Sequence, residues 1–469
     1  MHSPLSLLVC ECFLHHLDFM TATAMDPSDW AMYAPCAYDT LLDKRLESAA
    51  ASVMWLPETS PCGREGLEED YEEHSLLVGV QDQILMMRAT LLKPGADLDL
   101  RTTRDDGAED TPSFDATSML EVSLRFAHAG PARGLCYAPA APSVIASAPG
   151  GLERSEPGDV HIFDLDRLGD EEKYGMLTSA APRWVLRGHS DAGRGVAWRP
   201  EAGGAASSAA AALELVTTAD DGTACLWNLE ARPETQRSRA GTTKPVQTWE
   251  DAGGRAGKAV NSVAFDPASP ARFATAGDDC RLVLYDVRAP KPAAAAAKAH
   301  ARAATSVAFT REPNCVATGG SDGVVKLWDA RQLKAGPTRA FASHAPGKRA
   351  VHVAPAPWGD SWGREALVAS CAGDGSVTVT ETATADGGVV FLHQFHQAPV
   401  NQLAWHPALE WVAASVDEAG CLAIWEPSTW SLDDDDDDAG EARDDDGNPG
   451  DDCAEPASKK ARVATDEKV

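Results

Sequence analysis

Five short segments of the chain share one pattern, in which an apolar run ends in an aromatic residue that is followed by an acid or an amide. They are His161-Ile-Phe-Asp164, Cys225-Leu-Trp-Asn228, Leu282-Val-Leu-Tyr-Asp286, Lys326-Leu-Trp-Asp329 and Ala423-Ile-Trp-Glu426. Val377-Thr-Val-Thr380 is a degenerate copy without the aromatic residue. Tyr285 and Trp328 lie 43 residues apart, and Trp328 and Trp425 lie 97 apart, which is about two repeats. Such runs, bounded by turn residues, predict buried strands.

The spacing of these segments is typical of the WD-repeat propeller, in which one four-stranded blade takes roughly 40–45 residues. Further strands are expected at 76–80 and 84–87, which supply one more blade, and at 50–57, which we expect beside the last blade. Closing the ring in this way removes exposed sheet edges. The sequence therefore predicts an all-β fold, a seven-bladed WD40 β-propeller over residues 49–430.

A histidine and an aspartate recur in most of the repeats. The aspartate stands six residues before the aromatic position, in a turn, and the histidine stands upstream, with His128 and His396 in two further repeats. Such a pair can close a buried hydrogen-bond relay within one blade. Metal or proton chemistry is the alternative, but recurrence at the blade period favours the structural role. The residues of the predicted relays are His189, Asp221, Asp279, His300, Asp322, His344 and Asp374.

The two ends of the chain differ from the repeats. Residues 1–25 are expected to be a disordered extension. Over 26–48 a capping residue precedes apolar residues at roughly helical spacing, which predicts an α-helix packed on the propeller rim. Residues 431–469 carry runs of Asp and predict a disordered acidic tail. Within this tail Lys459, Lys460 and Arg462 match a short nuclear-import signal, so we expect the nucleus as the location.

Composition limits the classes of function. The chain has 469 residues and a formal net charge of −30, which argues against direct binding of nucleic acid and favours a basic partner protein. Its 11 Cys residues show no zinc-ligand spacing, so reduced thiols and no metal are expected. The sequence has no uninterrupted apolar window of about 18 residues, so no membrane span is predicted. No nucleophile or phosphate-binding motif occurs, so we expect no enzymatic activity and no cofactor.

Several segments outside the blade endings resemble one particular WD-repeat family. They are the run of Trp30, Pro35, Tyr38 and Asp39 with Trp55-Leu-Pro57, the run Leu186-Arg-Gly-His189, and the run Phe391-Leu-His393 with Trp405-His-Pro407. In these segments the chain is similar to the histone-binding retinoblastoma-binding proteins, also called multicopy suppressors of Ira and the small subunit of chromatin assembly factor. The resemblance implies a non-enzymatic scaffold of chromatin assembly, remodelling or histone-modifying complexes. Such a scaffold holds a histone helix beside its N-terminal helix and basic tails on its channel face.

The resemblance also implies which residues bind histones. Some positions depart from the family, because Cys36 and Ala37 stand where it has a Phe-Leu pair, and Arg133 and Arg194 stand on the channel face, where it has polar and acidic residues. A cation at those positions would repel a basic tail. The implied binding residues are Trp30, Cys36, Ala37, Tyr38, Asp39, Glu47, Asp220, Asp278, Asp386 and Phe391.

Two other functions remain open. The run 331–336 and the shortened loop before the last blade also suit a ribosome-assembly factor similar to the glutamate-rich WD-repeat proteins. The segments Trp328-Asp-Ala-Arg331 and Tyr285-Asp-Val-Arg288 resemble the Trp-Asp-x-Arg ending with which substrate receptors of cullin ubiquitin ligases contact the ligase adaptor. The alternative role of each arginine is a rim ion pair with the neighbouring aspartate, which is common at protein surfaces.

Overall fold

The computed structural model describes residues 38–63, 70–93, 119–128, 130–150, 158–167, 177–178, 182–200, 213–229, 241–250, 252, 257–344, 352–359, 366–383, 388–428 and 462–464. Strands dominate these ranges, and short 3-10 turns occur at Leu165–Arg167 and Leu333–Ala335. Within the same ranges no helix is long and apolar enough to cross a bilayer.

The strands are short and follow one another closely along the chain. In order they are β1 (Tyr38–Arg45), β2 (Ala50–Pro61), β3 (Tyr71–Val80), β4 (Gln83–Leu92), β5 (Leu120–Ala127), β6 (Ala132–Ala138), β7 (Ala141–Pro149), β8 (Val160–Asp164), β9 (Leu177–Thr178), β10 (Trp184–Leu186), β11 (Gly193–Trp198), β12 (Glu214–Ala219), β13 (Ala224–Asn228), β14 (Gly241–Thr243), β15 (Gln247–Trp249), β16 (Val260–Asp266), β17 (Ser269–Gly277), β18 (Leu282–Asp286), β19 (Ala294–Ala296), β20 (Ala304–Phe309), β21 (Cys315–Gly320), β22 (Val325–Asp329), β23 (Arg339–Phe341), β24 (His352–Pro355), β25 (Leu367–Cys371), β26 (Val377–Glu381), β27 (Val389–His393), β28 (Val400–Trp405), β29 (Ala413–Asp417), β30 (Cys421–Pro427) and β31 (Arg462–Ala464).

Seven sheets, the blades of a propeller, are built from these strands. Blades 1 to 7 consist of β2-β3-β4-β5, β6-β7-β8-β10, β11-β12-β13-β15, β16-β17-β18-β19, β20-β21-β22-β23, β24-β25-β26-β27 and β28-β29-β30-β1. The short strands β9, β14 and β31 add in parallel to the outer edges of blades 1, 2 and 7. The first strands of neighbouring blades contact one another and so surround the central axis. The predicted all-β, seven-bladed propeller is confirmed.

The ring closes in blade 7, where the beginning of the chain meets its end. β1 pairs antiparallel with β30, with Leu41 opposite Trp425. The strand predicted at 50–57 exists, but as β2 it opens blade 1 and pairs with β3 instead of joining blade 7. The helix predicted over 26–48 is wrong for Tyr38–Arg45, which forms the strand β1. As a strand, this segment covers the edge of β30, which would otherwise be left unpaired. Residues 26–37 lie outside the described ranges.

The hydrophobic cores lie between neighbouring blades. Trp227 of blade 3, for example, packs with Val160 and Ile162 of blade 2, and all three side chains are fully buried. Because a third strand is packed on both sides, β18 is buried at four consecutive residues, 282–285. This double packing explains why the blade endings are continuous apolar runs and not alternating ones.

Tight turns join the second and third strands of the blades. Gly222, Gly323 and Gly375 follow the aspartate of these turns with positive φ values of 81°, 79° and 84°. Glycine adopts such angles freely, whereas a Cβ atom makes them costly. Blade 4 carries Cys280 at this position with φ 64°, so its turn is strained.

Candidate functional site

The first strand of each blade begins at one and the same face of the propeller. The loops between second and third strands lie on that same face, because antiparallel neighbours bring the chain back to it. We call this the upper face. The opposite, lower face carries the loops between first and second strands and the ends of the third strands.

Three of the predicted binding acids lie on the upper face. Glu47 precedes β2, Asp220 follows β12 and Asp278 follows β17, in blades 1, 3 and 4. Glu47 is exposed, with 81% of its side chain accessible, and Asp278 is also exposed. The structure therefore places these carboxylates on one side of the ring, on the upper face.

Each of these acids already has a partner within the protein. Glu47 Oε1 lies 3.3 Å from Nη2 of Arg125. Asp220 accepts a hydrogen bond from Nε of Arg194. Asp278 accepts one from Nδ2 of the Asn261 side chain at 2.8 Å. Arginine charges therefore neutralise Glu47 and Asp220 locally, Asp278 keeps its negative charge, and a basic ligand must compete with these contacts.

Two arginines and one asparagine occupy equivalent places on the upper face. Arg133, Arg194 and Asn261 are the second residues of β6, β11 and β16, where the pairing with the next strand shifts register. A register shift of this kind re-aims a side chain away from the regular sheet pattern. The entrance thus combines acids with arginines and does not form a uniformly acidic surface.

The recurring His and Asp residues form buried chains of hydrogen bonds on the same face. In blade 3, His189 Nδ1 lies 3.3 Å from Asp221, and His189 Nε2 lies 2.8 Å from the hydroxyl of Thr217. That hydroxyl accepts the indole N–H of Trp227 at 2.8 Å. His300–Asp322 and His344–Asp374 form the same contact, with closest distances of 3.0 Å and 3.3 Å.

The electrostatics of these chains are those of structural elements. Burial opposes ionisation of Asp221 and Asp374, but hydrogen bonds from the imidazoles and from nearby N–H and hydroxyl groups outweigh it and lower the pKa of both carboxyls. An ionised carboxylate then accepts the Nδ1–H of each histidine, and Nε2 forms a second hydrogen bond to a Thr or Ser hydroxyl. Both nitrogens of each ring are occupied, so these residues have no free atom for metal or proton chemistry.

Three blades depart from the predicted relay pattern. In blade 2, the ring nitrogens of His128 lie 2.7 Å from the carbonyl oxygen of Gly130 and 2.8 Å from the hydroxyl of Ser147, and no aspartate takes part. Asp279 has no histidine partner, because none occurs between His189 and His300, and it binds the backbone N–H of Arg281 at 3.0 Å. In blade 7 the partner of His396 is Asp417, at 3.0 Å, which the sequence analysis missed. Asp417 stands eight residues before Trp425 instead of six, because its turn is longer.

His396, Asp417 and Cys421 bring three potential metal ligands within 4.8 Å of one another. Their donor atoms are already used. One oxygen of Asp417 binds His396, and the other accepts the backbone N–H groups of Ala419 and Cys421 at 2.9 Å and 2.8 Å. The cluster therefore fits a structural turn better than a cation site.

Two predicted binding residues lie in the core and not on the surface. Tyr38 and Phe391 are only 3% and 4% exposed, and their rings meet edge to face at 5.4 Å. The hydroxyl of Tyr38 also lies 2.8 Å from Nδ1 of His393. Their assignment as binding residues is corrected. Pairing of β1 with β30 brings Tyr38 into blade 7, and Phe391, on the outer strand of blade 6, packs in the same core cluster. Asp39, which directly follows Tyr38 in the chain, is exposed.

The remaining predicted site residues are described only in part. Arg462 begins β31, whose backbone pairs with β1 opposite Thr40. The others lie outside the described ranges; they are Trp30, Cys36, Ala37, Asp386, Lys459 and Lys460.

On the lower face, two arginines occupy the same place in neighbouring blades. Arg288 binds Asp286 at 2.6 Å, and Arg331 binds Asp329 at 2.9 Å. Both arginine side chains are largely exposed, at 76% and 66%. The contact is the rim ion pair that the sequence offers as the alternative to adaptor binding.

Comparison with known families agrees with this architecture. The profile of the WD40 family (WD domain, G-beta repeat) matches residues 243–286 and 295–329. The first match begins before β15, the outer strand of blade 3, and ends with β18, the third strand of blade 4. The second match likewise begins within β19, the outer strand of blade 4, and ends with the third strand of blade 5. A repeat is therefore offset from a blade by one strand, which is the same offset that places β1 in blade 7. The chain thus carries WD40 repeats in a seven-bladed propeller, which supports a place among the WD-repeat proteins, whose propellers act as protein-interaction scaffolds.

Proposed function

We propose that this protein is a non-enzymatic scaffold that binds histones through its upper face, as a subunit of chromatin assembly, remodelling or histone-modifying complexes in the nucleus. The observation that carries the proposal is the position of Glu47, Asp220 and Asp278 on one face of a chain with net charge −30. The resemblance of the chain to histone-binding WD-repeat proteins supports it as well.

The existing contacts of these acids do not prevent such binding. An exposed ion pair contributes only about 0.2–1 kcal/mol, so an incoming lysine or arginine can replace Arg125 beside Glu47 at little cost. A polycationic segment brings several charges at once and is attracted by the whole acidic chain. Binding of this kind weakens as salt screens the charges.

The arginines at the entrance determine which part of the face a basic ligand uses. Arg194 neutralises Asp220 and repels a second cation, whereas Asn261 beside Asp278 carries no charge. We therefore expect basic segments to bind nearer Asp278 than Asp220. Replacing Arg194 with Gln should tighten histone binding, since it frees a carboxylate and removes a repulsive charge.

The test measures binding of purified core histones at low and high salt. The variant Glu47→Gln with Asp220→Asn and Asp278→Asn should bind about 3- to 150-fold more weakly, since each charge near the surface contributes roughly 0.2–1 kcal/mol. The matched control removes three acids of the lower face that also pair with arginines, by Asp164→Asn, Asp286→Asn and Asp329→Asn.

Equal weakening by the two triple variants would reduce the effect to overall charge and refute a site on the upper face. Absence of any complex at low salt would refute histone binding altogether. Co-purification with preribosomes in place of chromatin subunits would favour a role in ribosome assembly.

Nuclear location rests on the basic residues near the C-terminus. Replacing Lys459 and Lys460 with Ala should move a fluorescent fusion of the full chain from the nucleus to the cytoplasm. The control replaces Lys291 and Lys298, two exposed lysines of the propeller, and should leave the location unchanged. A nuclear fusion with the first pair replaced would refute the import signal.

Adaptor binding by a ubiquitin ligase is a second candidate, favoured by the exposure of Arg288 and Arg331 at equivalent places. Pull-down with the adaptor should be lost on replacing both with Ala and retained on replacing Arg302, an exposed arginine of the upper face. A pull-down that fails with the unmodified chain would remove this candidate.

A further inference from the structure

One six-residue pattern with two cations occurs twice on the lower face, in neighbouring blades. Each copy follows a third strand and consists of an aspartate, an arginine two residues later and a lysine three residues after the arginine. The copies are Asp286-Val-Arg288-Ala-Pro-Lys291 in blade 4 and Asp329-Ala-Arg331-Gln-Leu-Lys334 in blade 5. No other blade has both cations at these places. All four cations are exposed, and we call them together the cationic surface.

Each of the two arginines uses only one edge of its guanidinium group within the protein. In Arg288, Nε and Nη2 donate to the two oxygens of Asp286 at 2.8 Å and 2.6 Å. In Arg331, the same two atoms donate to Asp329 at 3.0 Å and 2.9 Å. Nη1 of both arginines has no partner among the described residues. A guanidinium carries five N–H donors in one plane, so the edge formed by Nη1 and Nη2 can bind a further carboxylate with two hydrogen bonds.

The arginines are held in position before a ligand arrives. In each copy the aspartate also accepts the backbone N–H of the arginine, at 2.9 Å. The loop of blade 4 is fixed further, because the carbonyl oxygen of Ala289 accepts the indole N–H of Trp249 at 3.0 Å. Donors that are ordered in advance lose less conformational freedom on binding.

Lys291 and Lys334 supply positive charge that no acid of the described chain pairs with. Neither ammonium group has an ion-pair or hydrogen-bond partner there, whereas each arginine is balanced by its aspartate. The segments that form the lower face of blades 4 and 5 contain seven Lys and Arg but only four Asp and Glu; they are 266–272, 286–293, 310–314 and 329–339. Charges more than about 8 Å away are largely screened at physiological salt. The local excess therefore attracts anions, although the whole chain carries a net charge of −30.

The two copies of the pattern adjoin. The 3-10 turn Leu333–Ala335, which contains Lys334, contacts β19 of blade 4. Leu333 is 3% exposed and lies in the same core cluster as Ala296 of that strand. Lys291 stands three residues before β19, which is about 10 Å along an extended chain. An extended segment of about six residues, roughly 20 Å long, can therefore reach both copies.

We propose that the cationic surface binds an acidic segment of a partner protein in an extended conformation. The free edges of Arg288 and Arg331 match planar carboxylates, and the lysines add charge with little demand on direction. A nucleic acid also offers anions, but its dense backbone charge would continue onto the acidic remainder of the chain. The acidic run Asp433–Asp438 of the chain itself is linked to blade 7, which does not border blades 4 and 5. A basic histone tail is repelled here, so the proposal is independent of histone binding on the upper face.

Surface plasmon resonance with the immobilised full chain tests this surface, because the peptide can then be supplied at high concentration. The probe is a capped peptide of six glutamates between glycines. Its matched control has glutamine in place of each glutamate, and a single-stranded DNA of the same number of nucleotides offers phosphates. We expect the Glu peptide to bind saturably, with a dissociation constant of roughly 1 mM or below at about 50 mM salt, and several-fold more weakly at about 200 mM salt. The Gln peptide should not bind.

A matched pair of variants locates the binding. Lys291→Gln with Lys334→Gln should weaken binding of the Glu peptide by about 2- to 30-fold, which is the range expected for two surface charges. The control, Lys258→Gln with Lys298→Gln, changes the net charge equally, but on the upper face, and should leave the affinity unchanged. Both variants keep Arg288 and Arg331, so the result is separate from adaptor binding by a ubiquitin ligase.

Four outcomes would overturn the proposal. One is the absence of binding by the Glu peptide at low salt, and another is equal weakening by the two lysine variants. Tighter binding of the DNA than of the Glu peptide would assign the surface to nucleic acid. The last check replaces Asp433–Asp438 with Asn. If the Glu peptide binds this variant but not the unmodified chain, the acidic run of the chain itself occupies the surface in place of a partner.

Discussion

Closure of the ring by β1 predicts a large effect from a single substitution close to the start of the described chain. Leu41 is 1% exposed and belongs to a core cluster that also contains Trp405 and Trp425. Truncation of a buried leucine to alanine removes transfer free energy and leaves a cavity, at a total cost of about 2–5 kcal/mol. Leu41→Ala should therefore remove a large part of a typical stability of about 5–15 kcal/mol.

Urea denaturation of the purified chain, followed by tryptophan fluorescence, measures this loss. The control is Asp39→Ala on the same strand, which is exposed and should change the free energy of unfolding by no more than about 0.5 kcal/mol. If segment 38–45 were only loosely attached to the rim, Leu41→Ala and Asp39→Ala would have similar small effects. A loss below about 1 kcal/mol for Leu41→Ala would thus refute closure by this strand.

Three further outcomes follow from the described contacts. Burial lowers the pKa of His74 and lowers that of His406 to about 3, and the two rings are in contact with nitrogens 2.9 Å apart. The stability that this pair contributes is therefore present above pH 6.5 and is lost as pH falls, by up to about 1.4 kcal/mol per pH unit for each histidine. In denaturation experiments between pH 7 and 4, the stability of His406→Asn should decline less steeply than that of the unmodified chain. Cys280→Gly should raise the free energy of unfolding by about 0.5–1 kcal/mol by relieving its positive φ, whereas Cys280→Ala should not, and equal effects would contradict the strain. Trp328→Phe should cost about 1 kcal/mol more than Trp358→Phe in urea denaturation, because only the indole of Trp328 donates a hydrogen bond, to Thr318 at 2.9 Å; similar costs would argue against the relay.

The blade count was predictable because the third strands carry a strong local signal. Runs such as Leu282–Asp286 are buried on both faces, so apolar residues are continuous, and the turn aspartate marks where each begins. The same double burial misled the prediction at the start of the chain. Leu41 and Leu42 are adjacent and both buried in β1, which breaks the alternation of a surface strand and imitates the spacing of a helix.

The partner of β1 could not be deduced from local sequence. β1 pairs with β30, so its hydrogen bonds reach from Thr40 to Glu426 across nearly the whole chain. Apolar content alone identified 50–57 as an equally good closing strand. The segment 50–57 differs from β1 because, as β2, it continues directly into the hairpin with β3 and so belongs to blade 1.

The candidate sites were predictable in residue type but not in pairing. Sequence identified Asp220 and Asp278 as acids on the channel face, but not that Arg194 and Asn261 already occupy them. Likewise, the degenerate ending at Thr380 was visible in the sequence as a lost aromatic residue. Whether the neighbours collapse into the vacated space depends on packing between two blades, which no single repeat encodes.

The two faces offer separate chemistries for a scaffold. First strands such as β11, with six residues, span about 20 Å between the faces. The closed ring of seven sheets and the cores between them resist small deformations, because packed interiors do not deform continuously. A ligand on the acids of the upper face therefore has no direct route to alter the exposed Arg288 and Arg331 of the lower face. Simultaneous occupation of both faces, without competition or strong coupling, is what a protein that brings different partners together requires.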